Sequence, residues 1–138
     1  MTRRLLLDTN IILDVLLDRQ PHVNASGAVC AAVENGKAEG LLAAHAVTTI
    51  YYLVSRKLGE AAARQSVRAL LTVFGVAPID GATLQQAIQA PGRNFEDSVT
   101  AAAAQASLCH LIVTRDPKGF RGSAVRALDA HQALPLLR

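Results

Sequence analysis

Short uninterrupted apolar runs alternate along this chain with longer stretches in which apolar residues recur at three- and four-residue spacing. The first run, Leu5-Leu6-Leu7, stops at Asp8 without a polar break, as expected of a strand covered on both faces. A helix from about Ile11 to Asp18 follows, apolar nearly all round except for Asn10, Asp14 and Asp18 at i, i+4 and i+8. Pro21 opens a second helix to about Asn35, with Gly36 placed to end it. Leu41-Leu42-Ala43 reads as the second strand. Val47, Ile50, Tyr51, Val54 and Leu58 then keep helical spacing until Gly59, with Tyr51 on the core side. Glu60 to Phe74 forms another amphipathic helix, with Arg64 and Arg68 on one face.

Val76 to Ile79 reads as an edge strand, because Pro78 has no N–H to give a ladder. Helices near Ala82–Ala90 and Glu96–Leu108 flank Pro91-Gly92-Arg93-Asn94, and strands follow at Leu111–Thr114 and Val125–Leu128. The small residues of Thr100–Ala106 suit close packing on a neighbouring helix or a dimer partner. Strands alternating with helices predict an α/β fold, a parallel sheet with helices on both faces. No linker, repeat or low-complexity tract divides the chain, so residues 1–138 read as one domain.

Composition sharpens the class. Half the residues are apolar (51%) and 18% are charged, which excludes intrinsic disorder. Cys30 and Cys109 stand alone in apolar surroundings and predict reduced core thiols of a cytoplasmic protein, with neither a disulfide scaffold nor a structural zinc. No apolar run approaches the ~20 residues of a membrane span, and Asp8 interrupts the N-terminal run too early for a signal peptide. The 14 Lys and Arg against 11 Asp and Glu give a net charge of +3, which by itself points to no partner.

The acids carry the chemistry. Parallel sheets bind ligands at the carboxyl ends of their strands, and two strong strands end there in acid: Leu7-Asp8-Thr9-Asn10 and Val113-Thr114-Arg115-Asp116. Glu96-Asp97 opens a long helix, a placement that the helix dipole alone would explain. Asp8 is the harder one to set aside, since an acid directly after three buried leucines is costly to desolvate unless something cationic compensates. Carboxylates converging at a sheet end repel one another unless a hard divalent ion sits among them. Metal-assisted phosphoryl transfer is the chemistry such a cluster suits best.

The segments LLLDTNIILDVLLDR, FEDSVTAAAA and IVTRDPKGF resemble the three acidic motifs of PIN domains, and AVTTIYYLVSRKLG is similar to the helix between them in one PIN branch. The match spans nearly the whole chain in the right order. The resemblance implies a three-layer α/β/α sandwich with a parallel sheet ordered 3-2-1-4-5, which puts Asp8 and Asp116 side by side on neighbouring strands. It implies a metal-dependent endoribonuclease in which Asp8, Asp97 and Asp116 are the catalytic acids and hold Mg²⁺ or Mn²⁺. Asn10 and Thr114 would support them through hydrogen bonds. Thr49 stands where many relatives carry a second core acid, a neutral hydroxyl in place of a charged ligand that weakens metal affinity. Glu96 would compensate only if it faced the metal, and adjacent helical residues point ~100° apart. Asp14 either reaches the rim of the site or forms a solvated stripe with Asn10 and Asp18. Gly119 stands where some relatives have a further acid.

Arg93, Arg115, Lys118 and Arg121 lie around the acidic motifs as candidate RNA phosphate contacts. None of the four His residues reads as a ligand or base. Many PIN domains are VapC-type toxins of toxin–antitoxin modules, so the resemblance further implies an RNA substrate, an antitoxin protein as partner, a homodimer and a cytoplasmic location. The alternative is a degenerate PIN domain that binds RNA or protein without cutting, for which Thr49 is the motive. A third family, the haloacid-dehalogenase-like phosphotransferases, shares a strand-end Asp like Asp8, but Asn10 cannot serve as the general acid needed two residues on. If Asp8, Asp14, Glu96, Asp97 and Asp116 gather in one cleft, six acids remain against 14 basic residues elsewhere, a basic surface around an acidic site.

Overall fold

The computed structural model describes residues 2–90 and 94–137. Five parallel strands form one sheet: β1 (Arg3–Leu7), β2 (Ala38–Ala43), β3 (Gly75–Ala77), β4 (Leu111–Val113) and β5 (Arg126–Leu128), ordered β3-β2-β1-β4-β5. The expected 3-2-1-4-5 order therefore holds, with Leu5 opposite Gly40 on one side and Leu111 on the other.

Period-two alternation decides which side chains face which helices. Leu5 and Leu7 of β1, Leu42 of β2, and Leu111 and Val113 of β4 share a core with helices α1 (Thr9–Leu16), α2 (Val23–Glu34), α3 (Ala44–Leu58), α4 (Glu60–Val73) and α7 (Ala130–Ala133). Leu6, Leu41, Ala43 and Ile112 point the other way, onto α6 (Phe95–Ala106). Helix α5 (Gly81–Ile88) packs on α6 through Ala87, Val99 and Ala102. This is the α/β/α sandwich. Four alanines of α6 are taken up inside the chain, Ala101, Ala103 and Ala104 against the sheet and Ala102 against α5, while Ala106 is exposed.

Element ends follow local chemistry. Strand β3 stops at Ala77, one residue before Pro78, and lies at the sheet edge. Asn35 and Gly36 close α2, with Gly36 at φ +77°. Helix α7 and the 3₁₀ turns Pro117–Phe120 and Leu134–Leu136 are too short for periodicity to reveal. A capping box of Asp129 and Gln132 starts α7. Cys30 and Cys109 are buried free thiols, and burial pushes both up to about 11, so neither is reactive at neutral pH.

One close approach limits substitution in the layer between sheet and helices. A Cβ on Gly40 would come within 2.8 Å of the Phe74 ring and 2.9 Å of Val33 Cγ1. Gly40→Ala is expected to lower the unfolding free energy by about 1–3 kcal/mol, the usual cost of overpacking a filled core. Urea denaturation measures it, and a loss below about 0.5 kcal/mol would show that this layer yields easily.

Candidate active site

The neighbouring strands β1 and β4 end together, and the chain carries their pairing one residue further: the Asp8 N–H donates to the Val113 carbonyl at 2.9 Å. That contact puts Asp8 beside Thr114, which is fully buried. The Thr114 hydroxyl donates to Asp8 Oδ2 at 2.8 Å and accepts from the Asp116 N–H at 3.1 Å. Asp8 Oδ1 accepts from the Thr9 N–H at 2.9 Å, so the same carboxylate caps α1.

Burial raises the Asp8 pKa above the ordinary carboxylate value, and the nearby charge of Glu96 adds to the effect. The Thr114 hydroxyl, the Thr9 N–H and the positive field of His45 act in the opposite direction without cancelling it. The ionised carboxylate is thus held where its charge is poorly compensated by the protein alone.

Asp97 and Asp116 meet around a glycine. Asn94 caps α6 by accepting from the Asp97 N–H at 3.2 Å, which sets Asp97 in the first turn. A Cβ built on Gly119 would lie 3.0 Å from Asp97 Oδ2 and 3.1 Å from Asp116 Oδ2. The two carboxylates therefore face one small space that any side chain at position 119 would invade. Glu96 is exposed and acts on Asp8 only through its charge.

Other sequence-derived candidates are placed differently. Asp14 does not form a solvated stripe with Asn10 and Asp18: it is fully buried, because α2 covers that turn of α1. Its Oδ2 accepts from the Ser26 hydroxyl at 2.9 Å and pairs with Arg115 Nε at 3.2 Å. Asn10 sits one turn earlier, and its Oδ1 accepts from the Arg115 N–H at 3.4 Å. The Thr49 hydroxyl donates back to the His45 carbonyl of its own helix at 3.3 Å, so its bond is spent away from the acids. Lys118 and Arg121 are exposed on or beside the turn that carries Gly119, and Arg93 lies outside the described residues.

His45 was not singled out from sequence. It stands two residues after the end of β2, at the carboxyl edge of the sheet, and its field reaches Asp8. Its Nε2 is 3.4 Å from the Thr100 hydroxyl, and its buried Nδ1 has no hydrogen bond among the described residues. The available signal was positional: a polar ring immediately after a buried strand, where parallel sheets build their sites.

A PIN domain family model matches residues 4–118, which include every one of these acids. The chain belongs to the PIN domain family. No curated protein is similar in sequence at a significant level. Solved structures with the same fold include FitAcB from Neisseria gonorrhoeae, at 22% identity and TM-score 0.69, covering 92% of this chain and 98% of that one. A DNA-bound VapBC from Salmonella typhimurium matches at 15% identity and TM-score 0.69, covering 94% and 99%. The sarcin–ricin-loop-cleaving VapC toxin of Mycobacterium tuberculosis matches at 16% identity and TM-score 0.64, covering 78% and 86%. The PIN fold of this chain is thus the one found in VapC and FitB toxins.

PIN nucleases generally use divalent metal ions, and the donor set here suits one. Among the described residues no three His, Cys, Asp or Glu side chains close around a single point. An open pair of hard carboxylates about Gly119, with Asp8 adjacent, still matches Mg²⁺, which keeps several waters and takes only one or two carboxylates from a protein.

Asp8 carries a stability signature. Since its pKa is raised on folding, its contribution is most favourable below the unfolded value of about 3.9 and is lost as pH rises through the folded value. Asp8→Asn, which keeps the cap, should therefore raise the melting temperature at pH 7 in EDTA, by about 2–8 °C for each kcal/mol recovered. The gain should vanish below about pH 4. Equal melting temperatures at pH 7 would show that the carboxylate is not strained by burial.

Proposed function

We propose that this PIN domain is a divalent-metal-dependent endoribonuclease, the toxin of a toxin–antitoxin module. The observation that carries the reading is that Asp97 and Asp116 both approach the same side of Gly119, within about 3 Å of where a Cβ would stand, with Asp8 tied to the same turn through Thr114. Asp8, Asp97 and Asp116 would hold Mg²⁺ or Mn²⁺. A bound ion supplies charge neutralisation at the phosphodiester and a water made acidic enough to attack at neutral pH.

The chain's own residues do the positioning. Thr114 and the Thr9 N–H keep Asp8 fixed by donating to its two oxygens. Asn94 and the α6 N-terminus hold Asp97 in place. Glu96 adds negative charge at the rim and raises the Asp8 pKa further. Lys118 and Arg121 stand beside this cluster and suit contacts with the RNA backbone. The solved structures of similar fold include complexes of toxin with antitoxin, which supports an antitoxin as partner here. A homodimer and a cytoplasmic setting are part of the same reading.

Thr49, bonded to its own helix where many relatives place an acid, favours the second reading, a module that binds RNA without cutting it. Metal binding separates the two. Calorimetry should show Mn²⁺ binding to the wild type, and RNA cleavage should require Mg²⁺ or Mn²⁺ and disappear in Asp8→Asn. Cleavage in excess EDTA would refute the metal mechanism, and absence of Mn²⁺ binding up to millimolar levels would leave the binding module.

Gly119→Ala tests the carrying observation directly. It changes no charge, yet places a methyl within about 3 Å of both carboxylates. Mn²⁺ affinity should fall by about tenfold, or 1.4 kcal/mol, with no loss of thermal stability in EDTA. Unchanged affinity would mean that Asp97 and Asp116 do not share an ion.

A further inference from the structure

The turn Thr114-Arg115-Asp116 divides two ways. Asp116 goes toward Gly119 and α6, whereas Arg115 goes to the opposite face of the sheet, toward α1 and α2. There Arg115 borders a cavity of about 430 Å³ whose other walls are Pro21, His22, Ala25, Ser26, Asp129, Ala130 and His131. Pro21 and His22 precede α2, and Asp129 follows β5, so this cavity lies at the carboxyl end of the sheet, as the acids do.

Arg115 is held for use. Asp14 is fully buried and takes the guanidinium at Nε, with Ser26 on the same carboxylate oxygen. Asp14 Oδ1 has no partner among the described residues. Withdrawing Arg115 would leave a buried carboxylate with no counter-charge, which is strongly unfavourable, so the guanidinium stays in place. Only one edge of it is engaged. Its outer N–H groups make no hydrogen bond among the described residues, and they form the planar fork that suits a phosphate.

The remaining walls suit a base. Pro21, Ala25 and Ala130 give an apolar floor, and the rings of His22 and His131 give faces for stacking. Neither imidazole is committed to a hydrogen bond among the described residues. The one carboxylate in the wall, Asp129, is drawn into its cap, where Oδ1 accepts from the Gln132 N–H at 2.8 Å.

We infer that this cavity is a nucleotide subsite, in which Arg115 binds a phosphate next to the scissile one and the flanking base lies between His22 and His131. The inference rests on the ribonuclease reading and adds where the strand runs: from the acids, over the Thr114–Asp116 turn, and onto the face of α1 and α2.

Two variants leave the acids, Asp14 and Arg115 untouched. Ala25→Phe fills the cavity, and the double change His22→Ala with His131→Ala removes the stacking faces. The probe is a fluorescein-labelled pool of random-sequence RNA, 30 nucleotides long. Both variants should raise KM about tenfold with kcat within about twofold, as loss of one stacked base implies. In an Asp8→Asn background the same changes should weaken RNA binding by a similar factor, read by fluorescence anisotropy. Unchanged KM and affinity in both folded variants would overturn the subsite while the nuclease stood, and would leave the cavity to a protein side chain. If the wild type neither binds nor cuts the pool, the nuclease reading falls and the subsite with it.

Discussion

A single hydroxyl joins the two halves of the site. Thr114 is sealed in the sheet, and its oxygen both donates to Asp8 and accepts from the Asp116 backbone. One acid ends β1 and the other follows β4, more than a hundred residues later. Their alignment depends on a group small enough to be buried and able to donate and accept at once. A valine there would fill the same space and leave both partners unsatisfied. Around this bond the parallel pairing of β1 with β4 supplies the scaffold, and the caps of α1 and α6 supply the directions.

The site is built against its own stability. Asp8 is a carboxylate with a raised pKa, repelled by Glu96 and only partly relieved by Thr114, Thr9 and His45. Asp97 and Asp116 face each other over a glycine. Local electrostatic cost of this kind is common where a protein awaits a cation. It is borne by the sheet beneath, where Leu5, Leu6, Leu7, Ile112 and Val113 are completely buried.

The charge distribution also takes a sharper form than the totals imply. Asp14 does not belong to the acidic cleft, because Arg115 pairs with it on the other face of the sheet. The cleft is left to Asp8, Glu96, Asp97 and Asp116, with His45 close enough to act on Asp8. Asp14 thus positions a cation rather than adding to the anionic cluster, and Asn10 steadies the same turn from one helical step away.

Much of this was legible in the chain itself. The leucine run ended by Asp8 and the alternation of strands and helices determined the fold class, and the family resemblance gave the strand order and the three acids proposed to hold an ion. Proline and glycine marked element ends at Pro78, Gly36 and Gly59. The short helix α7 and the 3₁₀ turns escaped, since a single turn carries no periodicity. What only the tertiary structure decided was the partner of each side chain. Asp14 was open between the rim of the site and a solvated stripe, and is neither, because α2 lies over that turn of α1 and Arg115 pairs with it there. His45, remote from the acids in sequence, comes to Asp8 because β2 lies beside β1. The apparent replacement at Thr49 turns back to its own helix. A sequence specifies which residues are apolar and where the chain must turn, but contacts between distant segments arise from the packing of the layers, and around these acids such contacts set the hydrogen bonds and the electrostatics.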